Sequence, residues 1–298
     1  MSQRLDVRKT YKLYIGGKFP RSESGRSYVV TDAKGRFLAN AAKASRKDAR
    51  DAVVAARSAF PGWSAATAYN RGQVLYRVAE VMEGRAEQFA TEVAAGEGLR
   101  PAQARAVVSA AIDRWVWYAG WTDKLAQVVG GTNPVAGPYF DFSIPEPTGI
   151  VAVLAPQDSS LLGLVSVLGP VLAGGNVVVA VSSQRRPLPA ITLAEALATS
   201  DVPAGVVNLL TGGAAEIGPW LADHADVNAI DLTGTDGAHD GNDAADVELA
   251  RDLEVRAAGT LKRVRRPSPG SPDWAAEPGL ARMTAFLETK TVWHPIGV

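Results

Sequence analysis

The sequence predicts an α/β protein built on a doubly wound, mostly parallel sheet, with a small β arm attached to it. Three observations carry that prediction. Within residues 146–187, a short apolar, β-rich run (150–154) is followed by a run apolar on nearly every helical face (160–173). Gly174-Gly175-Asn176 then ends the helix, and a second β-rich run (177–181) follows. This is a βαβ unit, and a helix apolar all round must lie against the sheet that its flanking strands form. The alternation continues with a helix over 188–200, a strand over 206–210, a helix over 214–223 and a strand over 229–232, the order of a doubly wound sheet. Finally, residues 288–294 form an isolated strand, with Thr289, Thr291 and Trp293 on one face and Lys290 and Val292 on the other. Such a strand needs a neighbour, which the segment 139–144 can supply.

The first half of the chain is mainly helical. Residues 11–26 alternate apolar and polar side chains around Gly16-Gly17, predicting a hairpin of exposed strands. Ser45 and Asp48 form a capping-box variant ahead of Ala49, Val53, Ala56 and Phe60 at helical spacing, and Pro61-Gly62 is the expected stop. Asn70 is the expected cap of a second helix carrying Val74, Leu75, Val78 and Met82, and Gly84 separates it from a third carrying Phe89 and Val93. Pro101 suits the first turn of a fourth, which runs through Trp115, Trp117, Tyr118 and Trp121 toward Gly130-Gly131. These aromatics invite a ligand reading, but helices crossing a sheet need large apolar knobs, so core packing is the expectation.

Composition narrows the chemistry. At 298 residues the length suggests roughly two domains. Lys+Arg and Asp+Glu balance at 31 each, so no global field draws the chain to nucleic acid or an anionic membrane. Zero cysteines remove disulfides, thiolate ligands and thiol nucleophiles together. The N-terminus lacks an apolar signal core and the longest apolar helix is too short to span a bilayer, so a cytoplasmic protein without a membrane or nucleic-acid partner is expected. His224, His239 and His294 are scattered. The nearest approach to a metal cluster, His239 with Asp236, Asp240 and Asp243, lacks a Ca²⁺ loop's spacing, so no metal is expected. Ser159-Ser160 and Ser182-Ser183 have no G-x-S-x-G context, which argues against a serine hydrolase.

Glu146-Pro-Thr-Gly149, a strand ending at Pro156, a helix, Ala173-Gly-Gly-Asn176 and a strand leading to Pro187 together resemble the aldehyde dehydrogenase superfamily. The resemblance runs from Tyr11 to about Thr235 and includes the segments 202–210 and 226–234. It implies the family's Rossmann-like cofactor domain, and the terminal FLETKTVW looks like the family's oligomerisation strand. The expected organisation is therefore 1–137 with 147–256 as a cofactor-binding-like α/β domain, and 138–146 with 284–298 as an oligomerisation arm. A basic and proline-rich linker over 257–283 joins them, its basic run 262–266 read as a tether or solvated face.

The residues that the family uses for chemistry are exchanged. Pro156 is kept, but Gln157, Asp158 and Ser159 stand where the family has Trp, Asn and an aromatic. Asp158 falls at the position of the oxyanion-holding Asn, and as an ionised acceptor it would repel an oxyanion. Val181 and Gln184 match the Lys and Glu that hold the adenosine ribose. Losing two charge-assisted hydrogen bonds of roughly 1.5–3 kcal/mol each implies NAD binding weakened on the order of a hundredfold or more. Arg185 and Arg186 could meet a phosphate or lie solvated. The loop over 232–241, with Gly234 and Thr235, is the natural phosphate-facing turn, although Asp236 and Asp240 put carboxylates where a pyrophosphate would sit. The thiol nucleophile and the glutamate base of the catalytic domain have no counterpart, so no catalytic residue is assigned.

These readings lead to a non-catalytic family homologue, a pseudoenzyme, with no cofactor expected or NAD bound weakly at best. It would serve as the structural or regulatory partner of a full-length aldehyde dehydrogenase subunit, or form a homodimer. Two further expectations stand beside it: a nucleotide-binding sensor, and a residual aldehyde oxidoreductase completed by a partner chain.

Overall fold

A computed structural model describes residues 9–235, 243–267 and 272–297. Strand β1 (Thr10–Tyr11), β2 (Ser27–Thr31) and β3 (Phe37–Ala42) form a small sheet ordered β1-β3-β2. Helices α1 (Arg46–Ala65), α2 (Ala68–Glu83), α3 (Ala86–Glu97), α4 (Pro101–Trp121) and α5 (Leu125–Val129) follow. Next come β4 (Gly131–Asn133) and β5 (Tyr139–Pro147), which belong to the arm. The doubly wound part comprises β6 (Ile150–Leu154), α6 (Leu162–Ala173), β7 (Val177–Val181), α7 (Leu188–Leu197), β8 (Val207–Leu210), α8 (Ala214–Asp223) and β9 (Ala229–Asp231). The chain closes with α9 (Asp243–Ala258), β10 (Arg263–Arg265), α10 (Ala281–Thr284) and β11 (Leu287–Pro295).

The central sheet has five strands in the order β10-β9-β6-β7-β8, every pair parallel, with Ile150 opposite Val177 and Leu154 opposite Val181. Residues in β6 and β7 are all buried, as the β-branched runs require of strands covered on both faces. Strand order reverses at β6: β7 and β8 extend the sheet on one side, β9 and β10 on the other. A crevice at the carboxyl ends of β6 and β9 follows from that reversal, and this is where open α/β sheets bind ligands.

The helical expectations hold with two shifts. Ser45 and Asp48 close a reciprocal capping box on α1, but α1 runs through Pro61 to Ala65. One missing backbone donor is offset because the final turn carries Trp63 into the core at 2% exposure. The cap of α2 is Thr67, whose hydroxyl accepts from the Asn70 N–H, so Asn70 lies inside the helix. Trp115 and Tyr118 are fully buried, and Trp117 and Trp121 pack against the same core.

Two other expectations need correction. Residues 11–26 do turn back at Gly16-Gly17, where Ile15 and Lys18 exchange backbone hydrogen bonds, but the hairpin is not an exposed one, because Leu13 and Tyr14 are both buried and Tyr14 exchanges backbone hydrogen bonds with Leu209 of the central sheet. A second hairpin is β2–β3. The basic run also differs: Arg263–Arg265 is the fifth strand of the sheet, paired with β9, rather than a tether. Its guanidiniums reach water and acidic partners from a sheet edge, Arg263 through a two-bond pair of 2.6 Å each with Glu288.

The arm is a three-stranded antiparallel sheet ordered β11-β5-β4, in which all nine residues of β11 pair with β5. Asn176 ties it to the core. This fully buried side chain accepts from Gly149 N–H at 2.8 Å and donates to the Phe286 carbonyl at 2.9 Å.

A second buried polar junction joins β1, α3 and α7. Tyr11 and Thr192 each donate a hydroxyl to Glu92 Oε1 at 2.8 Å, while Glu92 Oε2 is buried without a partner among the described residues. Burial holds the Glu92 carboxyl above the ordinary glutamate range, despite the two hydroxyl bonds and the Lys9 charge, which act the other way. The folded chain therefore binds a proton more readily here than the unfolded chain. The stability this provides is complete below the unfolded pKa and is lost as pH rises through the folded one. Glu92→Gln keeps an acceptor for both hydroxyls and removes the titration. Urea midpoints of the two proteins between about pH 4 and pH 8 should converge or cross in favour of the variant as pH rises. Parallel curves would rule out a titrating Glu92.

Candidate cofactor site

The crevice at the strand-order reversal is built from the loop after β6 and the turn after β9, with the loops after β7 and β8 beside them. Pro156 is buried and packs on α6, where a side-chain carbon added at Gly163 would come within 3.2 Å of it. Ser159 accepts the Gly163 N–H at 2.9 Å, satisfying one of the open donors at the start of α6. Gln157 stitches two loops together. Its amide nitrogen donates to the Ala155 carbonyl at 2.9 Å, its amide oxygen accepts the Gln184 N–H at 2.8 Å, and its carbonyl accepts the Ser183 hydroxyl at 3.0 Å.

Asp158 is half-buried in the same loop, and its carbonyl accepts from Arg186 at 2.5 Å. Arg186 is thereby built into the loop, its N–H also donating to the Ser183 hydroxyl at 3.2 Å. Sequence reasoning did not find Glu97, the last residue of α3, which accepts both the backbone N–H and the hydroxyl of Ser160 at 2.8 and 2.6 Å. Burial raises its carboxyl above the ordinary range, the hydrogen bonds of Ser160 and the charge of Arg186 oppose that rise, and the nearby Asp158 adds to it. Two carboxyl groups, those of Glu97 and Asp158, thus lie around the loop after β6. No local pattern signals Glu97, which meets its partner 63 positions along the chain.

Val181 is fully buried at the end of β7, between Leu154 and Leu210, and offers only apolar surface. Gln184 is exposed, with its amide oxygen 3.0 Å from where a side chain on Gly213 would begin. Gly213 is the residue from which α8 starts, and it has no side-chain cap. The Gln184 amide thus packs directly against the bare start of α8. Arg185 and Gln184 also line a cleft of about 460 Å³ against β2.

Gly234 and Thr235 occupy the turn after β9, but both serve packing. A side chain at Gly234 would strike the Ala155 carbonyl oxygen, so glycine is required by the contact between the ends of β6 and β9. Thr235 is buried and donates its hydroxyl to the Leu232 carbonyl at 2.7 Å. The remainder of that loop, with Asp236, His239 and Asp240, lies outside the described residues, as does the Asp243 side chain. Among the described residues no group of three His, Asp or Glu side chains converges to hold a metal ion, and no helix is long and apolar enough to cross a membrane.

A buried ion pair closes the crevice from the C-terminal side. Asp231, at 1% exposure, accepts the Thr233 N–H at 2.9 Å and faces Arg282 of α10 at 3.4 Å. The guanidinium of Arg282 also stacks 5.2 Å over the Trp274 ring. Arg114 of α4 donates to the carbonyls of Trp274 and Ala276 at 2.6 and 2.9 Å. The sequence carried one signal of this lock, a charged residue inside the apolar run of β9.

The comparisons agree with this geometry. The Aldehyde dehydrogenase family profile matches residues 19–240. The chain is 33% identical over 241 residues to the cytosolic 10-formyltetrahydrofolate dehydrogenase of Mus musculus, covering 78% of this chain and 26% of that protein. It is 32% identical over 274 residues to the putative aldehyde dehydrogenase DhaS of Bacillus subtilis (strain 168), covering 89% and 52%. An NAD+ complex of aldehyde dehydrogenase from Bacillus cereus superposes with a TM-score of 0.78 at 27% identity, covering 86% of this chain and 50% of that one. This runs against the expectation of no cofactor, or of NAD bound weakly at best, because the fold of 86% of this chain is shared with a protein whose structure is an NAD+ complex. The chain spans about half the length or less of these relatives, and within that span its sequence and fold make it a member of the aldehyde dehydrogenase family.

Proposed function

We propose that this chain is a non-catalytic member of its family that retains the dinucleotide-binding scaffold and acts as a partner subunit through its arm. One observation carries the reading: no cysteine occurs in the 298 residues, so no thiolate can attack an aldehyde carbon and prepare it for hydride loss. Two further features support it. Residues 266–286, between β10 and β11, are far fewer than a domain needs, and their described part carries the Trp274–Arg282 lock. Asp158 also stands where the family resemblance puts an oxyanion-holding Asn.

The NAD+ complex of the Bacillus cereus relative favours retained binding of NAD in this chain, and the cleft beside Gln184 is where we place its ribose. Bound there, NAD would supply a hydride acceptor, while the chain itself orients the ribose through the Gln184 amide. Titration calorimetry should detect NAD binding to the unmodified chain. Gln184→Glu, which restores a charged acceptor for ribose hydroxyls, should tighten it about tenfold, and Gln184→Ala should weaken it by a similar factor. Equal affinities for all three proteins would place the nucleotide elsewhere.

The arm supports the partner role. β11 is an edge strand of nine residues whose outer side is unpaired among the described residues. Trp293, Tyr139, Phe140 and Ile296 are all large, apolar and exposed around it, and Tyr139 meets Trp293 edge-on at 5.7 Å. A long open edge flanked by aromatics is a template for strand addition. The partner that fits is a full-length aldehyde dehydrogenase subunit, with a second copy of this chain as the alternative. A chain ending at Leu287 should lose assembly in light scattering and co-purification with a full-length family member from its host. If the shortened chain keeps the assembly of the intact one, the arm is not the interface.

A further inference from the structure

A cleft of about 600 Å³ lies between the β2–β3 turn, α3 and the first turn of α4, next to the cleft beside Gln184 and Arg185, with which it shares Asp32 and Ala33. That volume is in the range of small-molecule sites. Its charged lining is uneven: Lys34, Arg36, Arg100 and Arg105 face only Asp32 and Glu87. Both acids are already answered. Asp32 accepts the N–H groups of Lys34 and Arg36 at 2.9 and 2.8 Å on one oxygen and the Arg36 guanidinium at 2.7 Å on the other. Glu87 is held by Arg105 at 2.8 Å. The hydrogen bonds that Arg36 and Lys34 make to Asp32, and those Arg105 makes to Glu87, keep both carboxyls below the ordinary range.

Two cations are left over. Neither Lys34 nor Arg100 has an ion pair among the described residues, and Arg100 spends only its Nε, on the Gln103 amide oxygen at 3.0 Å. A surplus of two positive charges in one cleft of a chain with net charge zero is local, not a general surface property. The floor between them is apolar, formed by Ala90, Ala94 and Leu99.

The walls are fixed before any ligand arrives. The turn is docked on α3 by the Ala33 N–H, which donates to the Ala95 carbonyl at 3.0 Å. Gly98 has φ +70°, and a side chain there would come within 2.9 Å of the Ala33 methyl. Preorganisation of this kind lowers the cost of binding.

We propose that this cleft binds a small organic dianion, an organic phosphate or a short dicarboxylate, with its anionic oxygens on Lys34 and Arg100 and its carbon body on the alanine floor. Charge-assisted bonds to an ammonium and a guanidinium suit such oxygens. Lys34 and Arg100 line this cleft and not the neighbouring one beside Gln184, so the proposal does not depend on where the nucleotide is assigned.

Calorimetric titrations of the full chain with phenyl phosphate, glutarate and inorganic phosphate test it, beside a parallel NAD titration. Phenyl phosphate or glutarate should bind, more weakly at high salt, and whichever is tighter assigns the ligand class. Lys34→Glu and Arg100→Gln should each weaken that binding about tenfold or more, with thermal melts and the NAD titration unchanged. Both side chains are exposed, so neither variant should unfold. The proposal is overturned if neither organic anion binds, if inorganic phosphate binds as tightly as both, or if binding is indifferent to both substitutions.

Discussion

All twelve residues of α6 are withdrawn from water, so this helix can persist only while it is covered by the sheet on one side and by α2, α4 and α10 on the others. Each fully buried Leu or Val contributes about 1.5–3 kcal/mol relative to exposure, and leaving any flank open would forfeit several such terms together. The requirement explains the large aromatics of α4, since Trp115 and Tyr118 fill the space over α6 and Tyr118 lies against Gly169, which has no side chain to obstruct it. It also explains why Met283 and Phe286 are buried. The chain between β10 and β11 is not idle connection, because it supplies the last cover of the core.

That cover reaches the end of β9, where Arg282 faces Asp231, Trp274 stacks on Arg282, and Arg114 holds the carbonyls of Trp274 and Ala276. Asp231 is tolerable at 1% exposure only because Thr233 and Arg282 answer it. The same lock aligns Phe286, whose carbonyl is bonded by Asn176 and by the Thr148 N–H, and so delivers β11 to β5. Core, lock and arm form one mechanical unit. A chain organised this way has the shape of the family's cofactor domain, and the absence of the family's chemistry from it is the proposal made above.

Much of this was legible in the sequence where periodicity and burial agree. The runs 150–154 and 177–181 could only be strands covered on both faces, and both are. The box of Ser45 and Asp48 marked the start of α1 because its geometry is local. Where partners are distant, the sequence misled. Residues 11–15 alternate like a surface hairpin, yet Tyr14 finds Leu209 and Tyr11 finds Glu92. The basic run 263–265 looked like a tether because three residues of strand carry too little pattern to oppose their charge. In the candidate site, the resemblance puts Val181, Gln184 and Asp158 at exchanged positions, which is all that side-chain identity can say, while the expectation of no cofactor is set against a fold shared with an NAD+ complex. Glu97 and Arg282 act across 63 and 51 positions, beyond any local signal.

The central claim is that the frame persists without its chemistry. Single-turnover stopped-flow absorbance at the NADH band tests it most directly, with the chain in molar excess over NAD and a panel of aliphatic, aromatic and semialdehyde substrates. The account predicts no NADH from the chain alone, including under conditions where calorimetry shows NAD bound. A burst of NADH, stoichiometric with bound NAD in the absence of any partner, would contradict it.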